Sequence, residues 1–388
     1  MVYWVLLVVA VGYLVLERRL HHRRLRQIPL RIHVNGTRGK TTVTRLAAEL
    51  LRRAGIRTMA KTTGDHPELI LPDGRRTLLH RRGPARIQEQ LAFIAQAARK
   101  KAEAVVIECM ALEPHLQEVS ERAMVRSTIG AITNVRPDHF EVMGRSLDQV
   151  ARALSRSIPT GAVLVTESGP YEPLFQKSCE AAGTRLCVSA TNGAGFGGVP
   201  RQTVLDESLA VVKLIGLQAG LPAERVVDIL QEIAARERQQ QLPQVGAGSQ
   251  RIALVDAFSA NDTVSAARVQ EALLVLGPTA CPRPVVALLN TRADRPLRTL
   301  AFAEFIALQT CYDVIGVTGD GCSPARRRLR HLAASAPLFM LGERKPAHML
   351  AAIARQVGSS SFTLVGLGNH RGAGEALRGY FAEGTRCC

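Results

Sequence analysis

The sequence predicts an α/β protein: a domain with a parallel sheet and a phosphate-binding loop, then a smaller Rossmann-like α/β domain, preceded by one N-terminal transmembrane helix. Three observations carry this. The stretch NGTRGKTT (35–42) lies between a strand pattern and a helix pattern. Apolar strands alternate with helical stretches, break at a polar segment, and alternate again. Residues 1–16 are almost wholly apolar and run directly into arginines.

The N-terminal run, MVYWVLLVVAVGYLVL, is followed by Arg18, Arg19, Arg23, Arg24 and Arg26. A cleaved signal peptide carries its positive charge before the apolar stretch, so the order here is reversed. The positive-inside rule then predicts a single-pass protein of the cell membrane with its catalytic part in the cytoplasm. Residues 1–17 are read as the anchor and 18–29 as a basic juxtamembrane segment. At about 1.5 Å per residue the run reaches ~24 Å, short of a ~30 Å hydrocarbon core. Snorkelling arginines or a membrane partner would supply the difference; a helix lying in the interface is the alternative.

The chain has 388 residues, enough for two globular domains, and 46% hydrophobic content argues for folded cores. Its eight cysteines form no C-x-x-C pair, so they read as reduced thiols, and Cys387 and Cys388 are adjacent. The net charge of +17, mostly from arginine, calls for an anionic partner. Aromatic content is 4% and no recognition-helix, zinc-finger or stacking motif occurs, so nucleic acid is not expected. Membrane lipid or an acidic substrate fits better.

In the loop, Leu30, Ile32 and Val34 alternate as a strand, and Val43, Leu46, Ala47, Leu50 and Leu51 mark one helix face. Gly36 and Gly39 let successive N–H groups curl around a polyphosphate at the helix N-terminus. Lys40 is placed to reach the β/γ-phosphates and the Thr41 hydroxyl to ligate Mg²⁺. Val34 stands where the full Walker pattern has glycine, so the loop is the shorter G-x-x-G-K-T form.

Strands are predicted at 102–109, 128–135 and 161–168, with helices near 86–100, 147–156, 204–219 and 223–236. The polar stretch 236–249 reads as a linker between a domain at 30–240 and one at 250–388. Strands resume at 251–257, 284–290, 312–319 and 361–368. VGLGNHRGAG is not a dinucleotide fingerprint, because Arg371 occupies its third glycine position.

Glu108 ends a strand beside the loop, a natural place for a Mg²⁺ ligand or water orienter. In TNVRPDHFEVMG (133–144), His139 is a candidate metal ligand with Asp138 to orient it, a surface turn being the other reading. In the second domain, Asp256 is placed to accept from a ribose hydroxyl. Asn261 or Asp262 would face the nucleotide, though Asp262 also suits a helix N-cap. Arg292 and Arg295 suit phosphate or carboxylate.

The order NGTRGKTT, IECMALEP, TNVRPDHFEVMG, DAFSAND resembles the Mur ligase superfamily of ATP-dependent amide-bond ligases. KTTG (61–64), ECMA (108–111), FSAND, NTRADR and GNHRGAGE resemble one branch, the ligase subunits of bacterial poly-γ-glutamate (capsule) synthases. The resemblance implies a Mur-ligase-like fold, ATP and Mg²⁺ as cofactors, and an acyl-phosphate route to a glutamate polymer. It implies glutamate and the growing chain as substrates and an integral membrane partner subunit, and leaves a homo-oligomer open. It places phosphate binding on Asn35, Gly36, Thr37, Arg38, Gly39, Lys40, Thr41 and Thr42, metal binding on Thr41, Glu108 and His139, and nucleotide contacts on Asp256, Asn261, Asp262 and Arg292. Lys40, Glu108 and His139 would carry catalysis. Many Mur ligases have a carbamylated lysine about 14 residues after the histidine; SLDQVARALSRS (146–157) has no lysine. A Mur-like ligase for folate or peptide, or an anchored P-loop ATPase without ligase chemistry, are the competing readings.

Overall fold

The computed structural model describes residues 1–64, 67–81, 83, 85–137, 140–189, 204–240, 244–245, 251–258, 263, 266–267, 281–332 and 336–384. The chain divides into two compact units, Met1–Arg201 with Leu205–Ala234, and Gln202–Val204 with Ala235–Cys388.

The first unit opens with helix α1 (Val2–Arg26), followed by β1 (Leu30–Asn35), α2 (Lys40–Arg53), β2 (Thr58–Lys61), β3 (Glu68–Ile70) and β4 (Arg76–Leu78). Next come α3 (Glu89–Arg99), β5 (Ala104–Glu108), α4 (Pro114–Val119), a π-helical turn (Ser120–Val125) and β6 (Ile129–Ile132). The unit continues with α5 (Phe140–Met143), α6 (Leu147–Ser155), β7 (Val163–Glu167), α7 (Glu172–Ala182), β8 (Arg185–Ser189), α8 (Val204–Gln218) and α9 (Ala223–Gln240).

Its sheet has the order β4-β3-β2-β5-β1-β6-β7-β8. Pairing is parallel from β2 to β8 and antiparallel for β2–β3 and β3–β4. Strand β1 lies at the centre, with β5 and β2 on one side and β6 to β8 on the other. The connections therefore diverge at β1, which opens a crevice beyond its carboxyl end, where ligands bind in open α/β sheets.

Apolar packing fixes the sheet on both faces. Ile32 and Val34 meet Val43, Leu46, Leu50 and Leu51 of α2 and Leu209, Val212 and Leu230 of α8 and α9. The opposite face carries Met59, Val105 and Ile107 against Phe93 and Ile94 of α3 and Leu25 of α1. Each such fully buried side chain contributes roughly 1.5–3 kcal/mol.

The single-pass expectation is corrected here. Among the described residues no helix is long and apolar enough to cross a membrane. Helix α1 is continuous from the apolar run into the basic segment, and charge begins at Glu17, Arg18 and Arg19. Residues 1–20 are exposed, whereas His21 and Leu25 are buried against the unit, the former with Nε2 2.8 Å from the Met124 carbonyl.

In the second unit, β9 (Gln244–Val245), β10 (Ile252–Asp256), β11 (Val285–Thr291), α10 (Pro296–Ala307), β12 (Val314–Gly319) and α11 (Cys322–His331) come first. After them come β13 (Leu338–Met340), α12 (Pro346–Val357), β14 (Phe362–Gly368) and α13 (Ala373–Gly384). The order is β13-β12-β11-β14-β10-β9, parallel except for β9. The segment read as a linker contains regular structure, since α9 runs to Gln240 and β9 pairs with β10.

Candidate active site

The loop after β1 is built around two glycines. Gly36 has φ +128°, and a Cβ there would lie 2.1 Å from Thr133 Oγ1. Gly39, at φ +76°, caps α2 in the left-handed region that side chains avoid. Strand β6 hands the loop a clamp. Asn134 Oδ1 accepts from the Thr37 hydroxyl at 2.8 Å and the Arg38 N–H at 3.0 Å, while its Nδ2 donates to the Arg38 carbonyl. The Arg136 N–H donates to Thr37 Oγ1 at 2.8 Å.

Asn35 is buried and its amide is committed to the scaffold. Nδ2 donates to Gln117 Oε1 and Ser157 Oγ, and Oδ1 accepts from the Gly36 N–H. The side chain thus fixes the entry angle of the loop.

Helix α2 begins with Lys40, Thr41 and Thr42. Lys40 Nζ lies over the loop, donating to the Gly36 carbonyl at 2.7 Å and the Thr37 carbonyl at 3.3 Å. Thr41 Oγ1 is 3.0 Å from both oxygens of Glu108. Glu108 is buried at the end of β5, and its Oε2 also accepts from the Thr63 N–H at 2.9 Å. β1 pairs with β5 so that Val34 faces Glu108, which places loop and carboxylate at one sheet edge. A hydroxyl and a carboxylate in contact beside a curled, glycine-dependent loop fit Mg²⁺, which takes hard oxygen ligands and keeps several waters and phosphate oxygens. Among the described residues no group of three or more His, Cys, Asp or Glu could hold a metal. Asp138 and His139 lie outside the described residues.

Two ion pairs lie under the first unit's sheet, one at this edge and one towards the amino ends of the strands. Lys61, at the end of β2, is 1% exposed and its Nζ is 3.1 Å from Glu89 Oε2. Burial lowers the Lys61 pKa against the opposing pull of Glu89. Burial would raise the Glu89 pKa, but Arg81, at 2.8 Å, and Lys61 hold it low. In β1, His33 Nδ1 lies 2.8 Å from Glu121 Oε2, both side chains buried. Burial alone would lower the His33 pKa; Cys109 and Glu121 outweigh it and raise it to about 10.

In the second unit, Asp256 and Arg292 both end up at the carboxyl edge of the sheet, Asp256 as the last residue of β10 and Arg292 directly after β11. Asp256 Oδ1 accepts from the Phe258 N–H at 3.1 Å, and Arg378 Nη1 is 3.5 Å from Oδ2. Burial raises the Asp256 pKa and Arg378 opposes it. Arg292 Nη2 lies 2.6 Å from Asp294 Oδ2. Asn261 and Asp262 lie outside the described residues. Asn290, which sequence reasoning passed over, is buried and donates to the carbonyls of Asn369 and Arg371, tying β11 to the GNHRGAG segment.

Sequence reasoning passed over Glu89, took in Lys61 only as the first residue of KTTG, and placed Asn134 at this edge without its clamp on the loop. A lysine closing an otherwise apolar strand was the signal for Lys61, and KTTG contained Thr63, whose N–H holds Glu108.

Known proteins match both units. The Mur ligase middle domain family covers residues 34–191, and the poly-gamma-glutamate synthase CapB C-terminal domain family covers residues 242–384. The capsule biosynthesis protein CapB of Bacillus anthracis is 31% identical over 322 residues, 80% of this chain and 68% of that protein. The PGA synthase CapB of Bacillus subtilis (strain 168) is 30% identical over 320 residues, 78% of each chain. The chain belongs to the CapB family. A solved bifunctional folylpolyglutamate synthase/dihydrofolate synthase with Mn, AMPPNP and L-glutamate bound aligns with a TM-score of 0.62 at 16% identity, covering 94% of this chain and 92% of that one. That likeness is one of fold. As a CapB-family protein with a Mur ligase middle domain, the chain is an ATP-dependent amide ligase.

Proposed function

We propose that this ligase polymerises glutamate into poly-γ-glutamate through an acyl phosphate. The γ-phosphoryl group of ATP passes to a carboxylate oxygen. The amine of an incoming glutamate then attacks the acyl carbon, the C–O bond to phosphate breaks, and phosphate leaves. The observation that carries this reading is the contact of Thr41 with Glu108 beside the Gly36–Gly39 loop and Lys40. Two anions must meet in the first step, and a lysine with inward N–H groups lowers that barrier. Thr41 and Glu108, with His139, would hold Mg²⁺, which supplies charge neutralisation at the phosphates. Asp256, Asn261, Asp262 and Arg292 are assigned to the nucleotide. Glutamate as substrate is supported by the relatives named as poly-γ-glutamate synthase and by L-glutamate in the enzyme of similar fold.

Helix α1 is assigned to membrane attachment without crossing. Its first four turns are apolar and exposed on all sides, and arginines follow. An integral partner subunit would then carry the polymer outward.

Glutamate-dependent ADP release tests the reading. Lys40→Ala should abolish it with an unchanged melting temperature, and labelled glutamate should enter a product resistant to α-peptidases. Normal turnover in Lys40→Ala, or a product that α-peptidases degrade, would refute it.

A further inference from the structure

At the other edge of the first unit's sheet lies a half-open cavity of about 650 Å³. Arg26 of α1, Arg31 of β1, and Arg122 and Arg126 around the π-helical turn line it together with His22. Thr128 and Ala162, which precede β6 and β7, place it at the amino ends of the strands. From Arg31 to Gly36 along β1 is about 17 Å, so the cavity is separate from the phosphate loop.

Four guanidinium groups converge there with one carboxylate, Glu121. That carboxylate is already engaged by His33, the Ser127 N–H and the Ser127 hydroxyl. The arginines are held in different ways. Arg31 is fixed by donating to the carbonyls of Arg126, Leu25 and Ile28. Arg122 pairs with Glu118, at 58% exposure, a contact of small net worth. Arg126 has φ +47°, a left-handed conformation that non-glycine residues seldom adopt, and its Nη1 lies 3.1 Å from His22 Nδ1. His22 is held below its ordinary pKa by burial and by Arg126, Arg18 and Arg26, so at neutral pH it accepts from Arg126. Same-sign charge gathered in a concavity is unfavourable until an anion enters, and guanidinium forks match phosphate.

The cavity's place on α1 identifies the anion's source. His22 and Arg26 line it, and Leu16, the last residue of the apolar run, is six residues from His22 on the same helix, about 9 Å along the axis. We infer that this arginine cavity binds the phosphate headgroup of an anionic membrane lipid. The site would turn the phosphate-loop edge of the sheet away from the bilayer. The inference rests on the assignment of α1 to the membrane.

Two measurements on the full chain separate the two. Flotation with neutral phosphatidylcholine vesicles reads α1 alone. Titration calorimetry with dihexanoyl-phosphatidylglycerol below its micelle concentration reads the cavity whether or not α1 inserts. One saturable site is expected, weakened about fivefold for each arginine removed in Arg122→Gln and Arg126→Asn. Asparagine tolerates the left-handed backbone at 126. Arg26→Gln is a second variant, on an exposed helix position, should Arg126→Asn not fold. Arg23→Gln, outside the cavity, should change the affinity less than twofold. Absence of saturable binding, equal loss in Arg23→Gln, equal affinity for inorganic phosphate, or tighter binding of oligo-γ-glutamate would each overturn the inference.

Discussion

Thr41 Oγ1 sits 3.0 Å from each oxygen of Glu108, so the first turn of α2 and the end of β5 share one polar contact at the sheet edge. Glu108 keeps little solvent contact and receives a second donor from Thr63. Its carboxylate is therefore fixed at the edge to which the proposed phosphate and metal chemistry is assigned. Glu108→Gln keeps the shape and removes the charge. It should lower glutamate-dependent ADP release by on the order of 10–100-fold or more, with circular dichroism unchanged. Activity within twofold of the parent would remove Glu108 from the metal site.

Gly36 gives a sharper structural prediction. At φ +128°, with Thr133 Oγ1 2.1 Å from any added Cβ, Gly36→Ala must displace β6 or the loop. The strain is about 1–3 kcal/mol, and the melting temperature should drop accordingly. Nucleotide affinity should fall with it, because the loop N–H groups lose their common aim. Gly64→Ala is the comparison: its Cβ would meet Thr41 Oγ1 at 3.7 Å, an ordinary contact. An alanine at 36 that binds nucleotide normally would show that the loop does not depend on this turn.

The His33–Glu121 pair predicts a pH dependence. The folded pKa of His33 is raised to about 10 against an ordinary 6.5, so the folded state binds the proton more tightly than the unfolded state. Its contribution to stability is complete below pH 6.5 and is lost as pH rises towards 10. Urea midpoints should fall between pH 7 and 10 in the parent protein. His33→Gln should flatten that slope. Glu121→Gln leaves a buried histidine without its carboxylate and should destabilise by roughly 3–5 kcal/mol at pH 7. A midpoint that does not move across this range would exclude a charged His33.

Much of this site was legible because local chemistry and chain order agree. The strand, loop and helix around Gly36–Thr42 follow from alternation, two glycines and a helical face, and Glu108 follows from its place at the end of an apolar strand. The short strands β3, β4 and β13 were not legible, since three residues carry too little periodicity to separate from a loop. The N-terminal helix was legible, but the docking of its basic segment was not. Its attachment depends on His21 and Leu25 meeting Met124 and α3, contacts far apart in sequence. Lys61 was hidden for the same reason, because its partner Glu89 is distant in the chain and its burial follows from sheet order.

Lys61 and Glu89 provide the last test. A buried ammonium persists only while its carboxylate and hydrogen bonds offset desolvation. The Nζ–Oε2 distance of 3.1 Å and the grip of Arg81 on the other side of Glu89 supply that offset. Removing one partner is therefore worse than removing both. Glu89→Gln strands the ammonium and should destabilise by roughly 3–5 kcal/mol, whereas the double change Lys61→Met with Glu89→Gln should recover most of that loss. Because Lys61 closes β2 two residues before Thr63, whose N–H holds Glu108, ADP release should fall in Glu89→Gln and return only partly in the double variant. Chemical denaturation of the four proteins in a double-mutant cycle reads the coupling. A coupling energy near zero would mean that Lys61 is held by its apolar surroundings and not by Glu89.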